Sequence, residues 1–182
     1  MKFKSLFTFL FIALVTVSCK KEEKNDATEK QAAPPPFTIV ITMTAKEDDI
    51  MSLYYKDESV PNFIEEMSVY KEVKKGNQDI VINLPEGVLP NDVRFDLSTR
   101  TQTQVCKIEK IHVENQGKSF DFMNQDLERF LIPNPSVVFD AKDRSYSFKQ
   151  VDGNYDPFLN VTDEFRSSMT PLVTQTPTQP NK

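Results

Sequence analysis

From residue 37 to residue 148 the apolar positions of this chain recur mostly every second residue. Phe37, Ile39, Ile41 and Met43 alternate with Thr38, Thr42 and Thr44, and Met51, Leu53 and Tyr55 repeat the pattern. So do Met67, Val69 and Val73, then Ile80, Ile82 and Leu84, then Val93, Phe95 and Leu97. A period of two sends successive side chains to opposite sides of an extended backbone, so each run predicts a strand with one buried face. A longer strand follows from Val105 to Glu114, in which the apolar parity shifts from Cys106 and Ile108 to Ile111 and Val113. One extra residue near Glu109 and Lys110, a β-bulge, accounts for such a shift. Phe120 with Phe122, Val137 with Phe139, and Tyr146 with Phe148 complete the set.

Polar stretches carrying Gly, Asn or Asp, "KKGNQ", "NQGK" and "DAKDRS", separate neighbouring runs by hairpin-like lengths. One stretch departs from the period of two. In "NQDLERFLIP", Leu127, Phe130 and Leu131 share a helical face behind Asn124 as cap and ahead of Pro133. The expected fold is therefore all-β, about eight or nine strands in a two-layer antiparallel β-sandwich, jelly-roll-like, with one short helix. A barrel is the alternative.

The two ends read differently. Residues 1–18 run from Lys2 and Lys4 through an apolar core, Leu6 to Val15, to small residues, the order of a secretory signal and shorter than the roughly 20 residues a bilayer span needs. Residues 19–36 contain no large apolar side chain and close on three prolines, which reads as a disordered spacer of up to roughly 50 Å at about 3.3 Å per residue. Residues 166–182, rich in Thr and Pro, read as a disordered tail. Residues 37–165 are left as a single domain.

A cysteine directly after the signal, in "TVSC", resembles the lipobox of bacterial lipoproteins. The resemblance implies that Cys19 is acylated and becomes the new amino terminus, tethering the domain to a membrane. The alternative is a secretory signal that happens to contain a cysteine. Glu22 and Glu23 behind Lys20 and Lys21 resemble the signal that carries some Gram-negative lipoproteins to the outer face of the outer membrane, and read equally as a solvated linker.

Charge narrows the field. Loss of Lys2 and Lys4 with the signal takes the basic count from 22 to 20 against 27 acidic side chains, a net charge of −7. No segment clusters Lys and Arg, so nucleic acid is not an expected partner. With Cys19 acylated, Cys106 has no partner for a disulfide and reads as a small buried hydrophobe.

Two stretches, "LPNDVRFDLSTRTQTQVCKIEKIHV" and "VDGNYDP", resemble the galactose-binding-like jelly-roll domains over residues 37–161. In that superfamily the domain often binds carbohydrate, so the resemblance implies a non-catalytic glycan-binding module. The chain has no tryptophan, which leaves five tyrosines as stacking platforms. Alternation puts Tyr55 and Tyr146 in the core and Tyr54 and Tyr70 on polar faces, while Tyr155 lies in a loop beside Asp152 and Asn154. Tyr155 is the first choice for ligand contact, with Asp152, Asn154 and Tyr54 beside it.

Catalytic chemistry finds few parts. His112 is the lone histidine and shares wet-face parity with Lys110 and Glu114, and neither a Gly-x-Ser-x-Gly elbow nor a Cys-x-x-Cys pair occurs. Glu65 and Glu66 are adjacent carboxylates in a segment leading into a strand, a common surface arrangement. Asp152, Asn154, Asp156 and Asp163 stand at relative positions 1, 3, 5 and 12, the oxygen spacing of a calcium loop. Pro157 replaces the turn glycine of that loop, which favours a Gly-Asn turn before an edge segment. No cofactor or metal is therefore expected, and the function is expected to be binding: of glycan, or of a protein partner in the envelope.

Overall fold

The computed structural model describes residues 35–100 and 105–174. The stretch read as a signal, Cys19, nearly all of the stretch read as a spacer and residues 175–182 lie outside them.

Eleven strands form two antiparallel sheets. In chain order they are β1 (Thr38–Ala45), β2 (Asp49–Lys56), β3 (Ser68–Val73), β4 (Gly76–Asn83), β5 (Asp92–Asp96), β6 (Val105–Asn115), β7 (Lys118–Met123), β8 (Leu131–Pro133), β9 (Val137–Asp140), β10 (Ser145–Phe148) and β11 (Phe158–Val161). The first sheet runs β4-β1-β6-β10-β9, with β7 also paired to β6, and the second runs β3-β2-β5-β11-β8. Ile39, Ile41 and Met43 from the first and Met51, Leu53, Val93 and Phe95 from the second are all buried in one core. This is the sandwich that alternation predicts.

The parity shift in β6 is a bulge. Thr42 pairs with Lys110 and Met43 with Ile108, so Glu109 is the extra residue. It lets Cys106 and Ile108 share the buried face with Ile111 and Val113. Of the three turns, "NQGK" and "DAKDRS" close the hairpins β6–β7 and β9–β10. "KKGNQ" instead carries the chain from the second sheet to the first, since β3 pairs with β2 and β4 with β1.

The helical content corrects the expectation of a single short helix. The "NQDLERFLIP" stretch is a 3-10 turn, Asn124–Asp126, followed by helix α1 (Leu127–Phe130), and Leu131 already belongs to β8. Asn124 does not cap it: its side-chain amide donates to the Ile108 carbonyl instead. A second helix, α2 (Asp163–Val173), occupies the start of the segment that reads as a disordered tail from its Thr and Pro content. Thr162 caps it, its hydroxyl accepting from the Phe165 N–H at 3.3 Å, and Asp163 and Glu164 complement the dipole in the first turn.

Phe165, Met169 and Leu172, spaced as one helical face, are buried against the sandwich. Phe165 stacks on Phe122 with centroids 4.0 Å apart and meets Phe95 and Phe130 edge-on. Pro171 lies in the last turn, where it has no N–H to donate to the Ser167 carbonyl one turn back. The C-terminal carbonyls are met from the β6–β7 hairpin, Asn115 Nδ2 donating to the Leu172 oxygen at 2.6 Å and Lys118 Nζ to that of Pro171 at 3.2 Å.

Candidate ligand-binding face on the second sheet

The outer face of the second sheet carries a set of rings and charges assembled by strand register. Ser52 pairs with both Tyr70 and Asp96, and Asp96 with Phe158, so Tyr70, Ser52, Asp96 and Phe158 form one row across β3, β2, β5 and β11. Ser68, Tyr54, Arg94, Asn160 and Ile132 form the next row and extend it to β8. At about 4.8 Å between strands, the longer row spans about 19 Å. The connection from β2 to β3 adds Phe63 and, at the 3-10 turn Glu65–Met67, the carboxylate of Glu65.

Arg94 is the centre of this face. Its guanidinium makes two parallel bonds to Asp96, Nε to Oδ1 at 2.7 Å and Nη2 to Oδ2 at 2.8 Å. The guanidinium carbon sits 4.5 Å from the Tyr54 centroid, 4.7 Å from Phe158 and 5.5 Å from Phe63. Cation–π contact of this kind and a two-toothed ion pair hold the side chain in one orientation. Burial pushes the Asp96 carboxyl up, against the pull of Arg94, and repulsion from Asp156 and Glu65 adds to the rise.

The two tyrosines are tied together by Glu65. Tyr54 donates to Glu65 Oε2, Tyr70 donates to Oε1 at 2.6 Å, and the two phenol oxygens lie 3.2 Å apart. These hydroxyls hold the Glu65 carboxyl below its ordinary range. Burial, then the bonds to Glu65 and Tyr70, push the Tyr54 phenol upward, so it remains a neutral donor. Tyr70 is 49% exposed, which leaves ring surface open to a ligand. The arrangement offers ring faces for apolar C–H surface and fixed carboxylate oxygens for hydroxyl donors.

Tyr54 thus lies on the polar face where alternation puts it, beside Tyr70, while Tyr55 and Tyr146 are buried. Tyr155 lies elsewhere. It is half-buried against the core, and its hydroxyl meets Ser98 Oγ at 2.8 Å, Ser98 in turn donating to the buried Asp49 at 2.5 Å. Asp152 and Gly153 form a tight turn with positive φ, closed by backbone bonds of 2.9 Å in both directions between Val151 and Asn154.

Asp163 lies beyond β11, in the first turn of α2, and accepts from Arg166 at 2.5 Å. Asp152, Asp156 and Asp163 do not form a metal-holding group. Among the described residues no group of three or more His, Cys, Asp and Glu side chains is disposed to hold a metal ion. Cys106 is buried and unpaired, and burial pushes its thiol up to about 12. His112 faces Asp121, Nδ1 to Oδ1 at 2.6 Å, with Glu114 at 3.5 Å from Nε2.

Arg94, Phe63 and Phe158 are the members of this face that sequence reasoning passed over. Alternation in "DVRFD" does put Arg94 on the wet side between Asp92 and Asp96. Its aromatic neighbours come from distant segments, and no local period announces them. Compared with known proteins, the chain matches no family model, no curated protein and no solved structure.

Proposed function

We propose that this chain is a lipoprotein, anchored through Cys19 in the outer membrane and displayed at the cell surface, whose sandwich binds glycan without catalysing a reaction. The observation that supports glycan binding is the aromatic set on the outer face of the second sheet, Tyr54, Phe63 and Phe158 around Arg94 with Tyr70 beside Tyr54. Sugar rings present apolar C–H faces rimmed by hydroxyls, and rings flanked by fixed hydrogen-bonding groups complement both. A binding role also suits Cys106, a buried thiol that supplies no thiolate at neutral pH.

The test is a panel of bacterial and plant polysaccharides probed with the mature chain carrying Cys19→Ser, followed by calorimetry on Tyr70→Ala and Tyr54→Ala. Binding weakened several-fold by either substitution, with the melting temperature kept, supports the reading. The anchor is tested separately: Cys19→Ala should abolish labelling of the protein by a fatty-acid analogue and release it from membranes. Unchanged label and fractionation would sink the lipoprotein assignment.

A second reading, docking on an envelope protein, rests on Ile132 and Val138, which are 50% and 43% exposed on the edge strands β8 and β9. No binding to any polysaccharide, with a protein partner crosslinked on cells through these edges, favours it.

A further inference from the structure

We infer that the face on the second sheet selects uncharged glycans and rejects anionic ones, such as uronate-rich or sulfated polymers; the inference rests on the glycan reading above. The argument is one of charge already engaged. The cations that lie over the rings of this face are Lys56 and Arg94, and Lys74, beyond the end of β3, is 3.0 Å from Glu72. Lys56 Nζ lies 3.4 Å from Asp92 Oδ2, donates to the Pro61 carbonyl and sits over the Phe63 ring. Arg94 holds Asp96 through two nitrogens, and rings lie against its guanidinium. Arg166, alongside, is shared between Asp92 at 3.1 Å and Asp163.

Recognition of a carboxylate or sulfate calls for the donor edge of an arginine or an ammonium group free to face it. Here the Nε–Nη2 edge of Arg94 is taken up by Asp96 on the same face, and the side chain is 22% exposed. The group beside the open ring of Tyr70 is a carboxylate, Glu65, which is exposed, as is its chain neighbour Glu66. An anionic chain lying along the row meets like charge, and the cations described here, Lys56, Arg94 and Lys74, each already face a carboxylate. Hydroxyl groups are different: they can donate to carboxylate oxygens, which keep lone pairs after accepting one phenol each.

The experiment compares uncharged polysaccharides with uronate-rich and sulfated ones on the mature chain carrying Cys19→Ser, at low and high salt. The expected result is binding of an uncharged polymer that changes less than about twofold with salt, and anionic polymers at least about tenfold weaker, because screening acts on charged contacts and not on stacking. Preferred, salt-sensitive binding of an anionic polymer overturns this inference and leaves the glycan reading standing. No binding of either class takes down the glycan reading, and this inference with it.

The cause is tested by Asp96→Asn, which releases the donor edge of Arg94, and by Glu65→Gln, which removes an outward charge and leaves an acceptor. Either variant, folded by circular dichroism and melting, should bind the uronate-rich polymer several-fold more tightly than the parent at low salt. No gain in either overturns the assignment of the selectivity to these carboxylates.

Discussion

The two outer faces of the sandwich are built by the same alternation and come out chemically unlike. On the first sheet, threonines meet short polar partners across the strands, Thr42 donating to Asp79 at 2.6 Å and Thr38 to Asn83 at 3.0 Å. Its charges form small exposed pairs, Lys107 with Glu109 at 3.3 Å and Lys110 with Asp121 at 3.9 Å. Such pairs contribute at most about 1 kcal/mol each, and Val81 and Met123, exposed apolar side chains of that face, are not gathered around a charge. The second sheet gathers three rings, Tyr54, Phe63 and Phe158, around one half-buried ion pair, with Tyr70 next to Tyr54. Period two tells which side of a strand is wet, and it is silent on whether the wet side has anything to hold.

Ways to break this contrast begin in the core that both faces share. Phe165→Ala removes the ring stacked on Phe122 and should cost about 3–5 kcal/mol, lowering the melting temperature and disturbing both sheets together. If the protein melted unchanged, α2 would not be part of the folded unit.

Next in size is the contrast itself. Arg94→Ala strands the Asp96 carboxylate and takes the cation from among the rings, and should destabilise by about 2–4 kcal/mol, below the range for a fully buried pair. Lys110→Ala, on the other sheet, should stay within about 0.5 kcal/mol. Denaturant melts of the two variants give the comparison directly; equal effects would erase the distinction between the faces.

Smaller effects sharpen it. Tyr70→Ala should weaken glycan binding by about 1 kcal/mol with little loss of stability. Tyr155→Ala should do the reverse, lowering stability through the lost contact with Ser98 while leaving affinity in place, as calorimetry beside thermal melts can tell.

The smallest effect is a pH response. Glu65 has its folded pKa lowered by two phenol hydroxyls. Its stabilising contribution is therefore present above the ordinary carboxylate value of about 4.3 and lost as pH falls through the lower folded value. Tyrosine signals from residues 54 and 70 should change in that acid range in the parent and not in Glu65→Gln.

How much of this was legible in the sequence depends on the range of the cause. The bulge at Glu109 could be read because its signature, a parity shift, lies within a single strand. The cores of β1 and β2 could be read for the same reason. Helix α2 could not: Pro171 and the threonines disguise a face made by Phe165, Met169 and Leu172, and what sustains it, the Phe122 ring and the Asn115 amide, lies far away in sequence. The sheet change at "KKGNQ" has the composition of a hairpin turn, since short polar links serve both purposes. Alternation placed Tyr54 and Tyr70 correctly and had no hold on Tyr155, which lies in a loop where period two has no meaning. The stack on Arg94 depends on Phe63 and Phe158, each brought in by a different part of the topology.

The Glu65 clamp also bears on how fast and how tightly a ligand can be held. A phenol free to turn loses rotamer freedom when a ligand arrests it, at about 0.5–1.5 kcal/mol per side chain. Tyr54 and Tyr70 are arrested on folding, because one carboxylate accepts from both and is itself fixed to the turn after β2. Their entropy is lost once, when the chain folds, and is not lost again at each encounter. A glycan bound as proposed would meet a platform already fixed, so that its association would be closer to the docking of rigid bodies than to mutual adjustment.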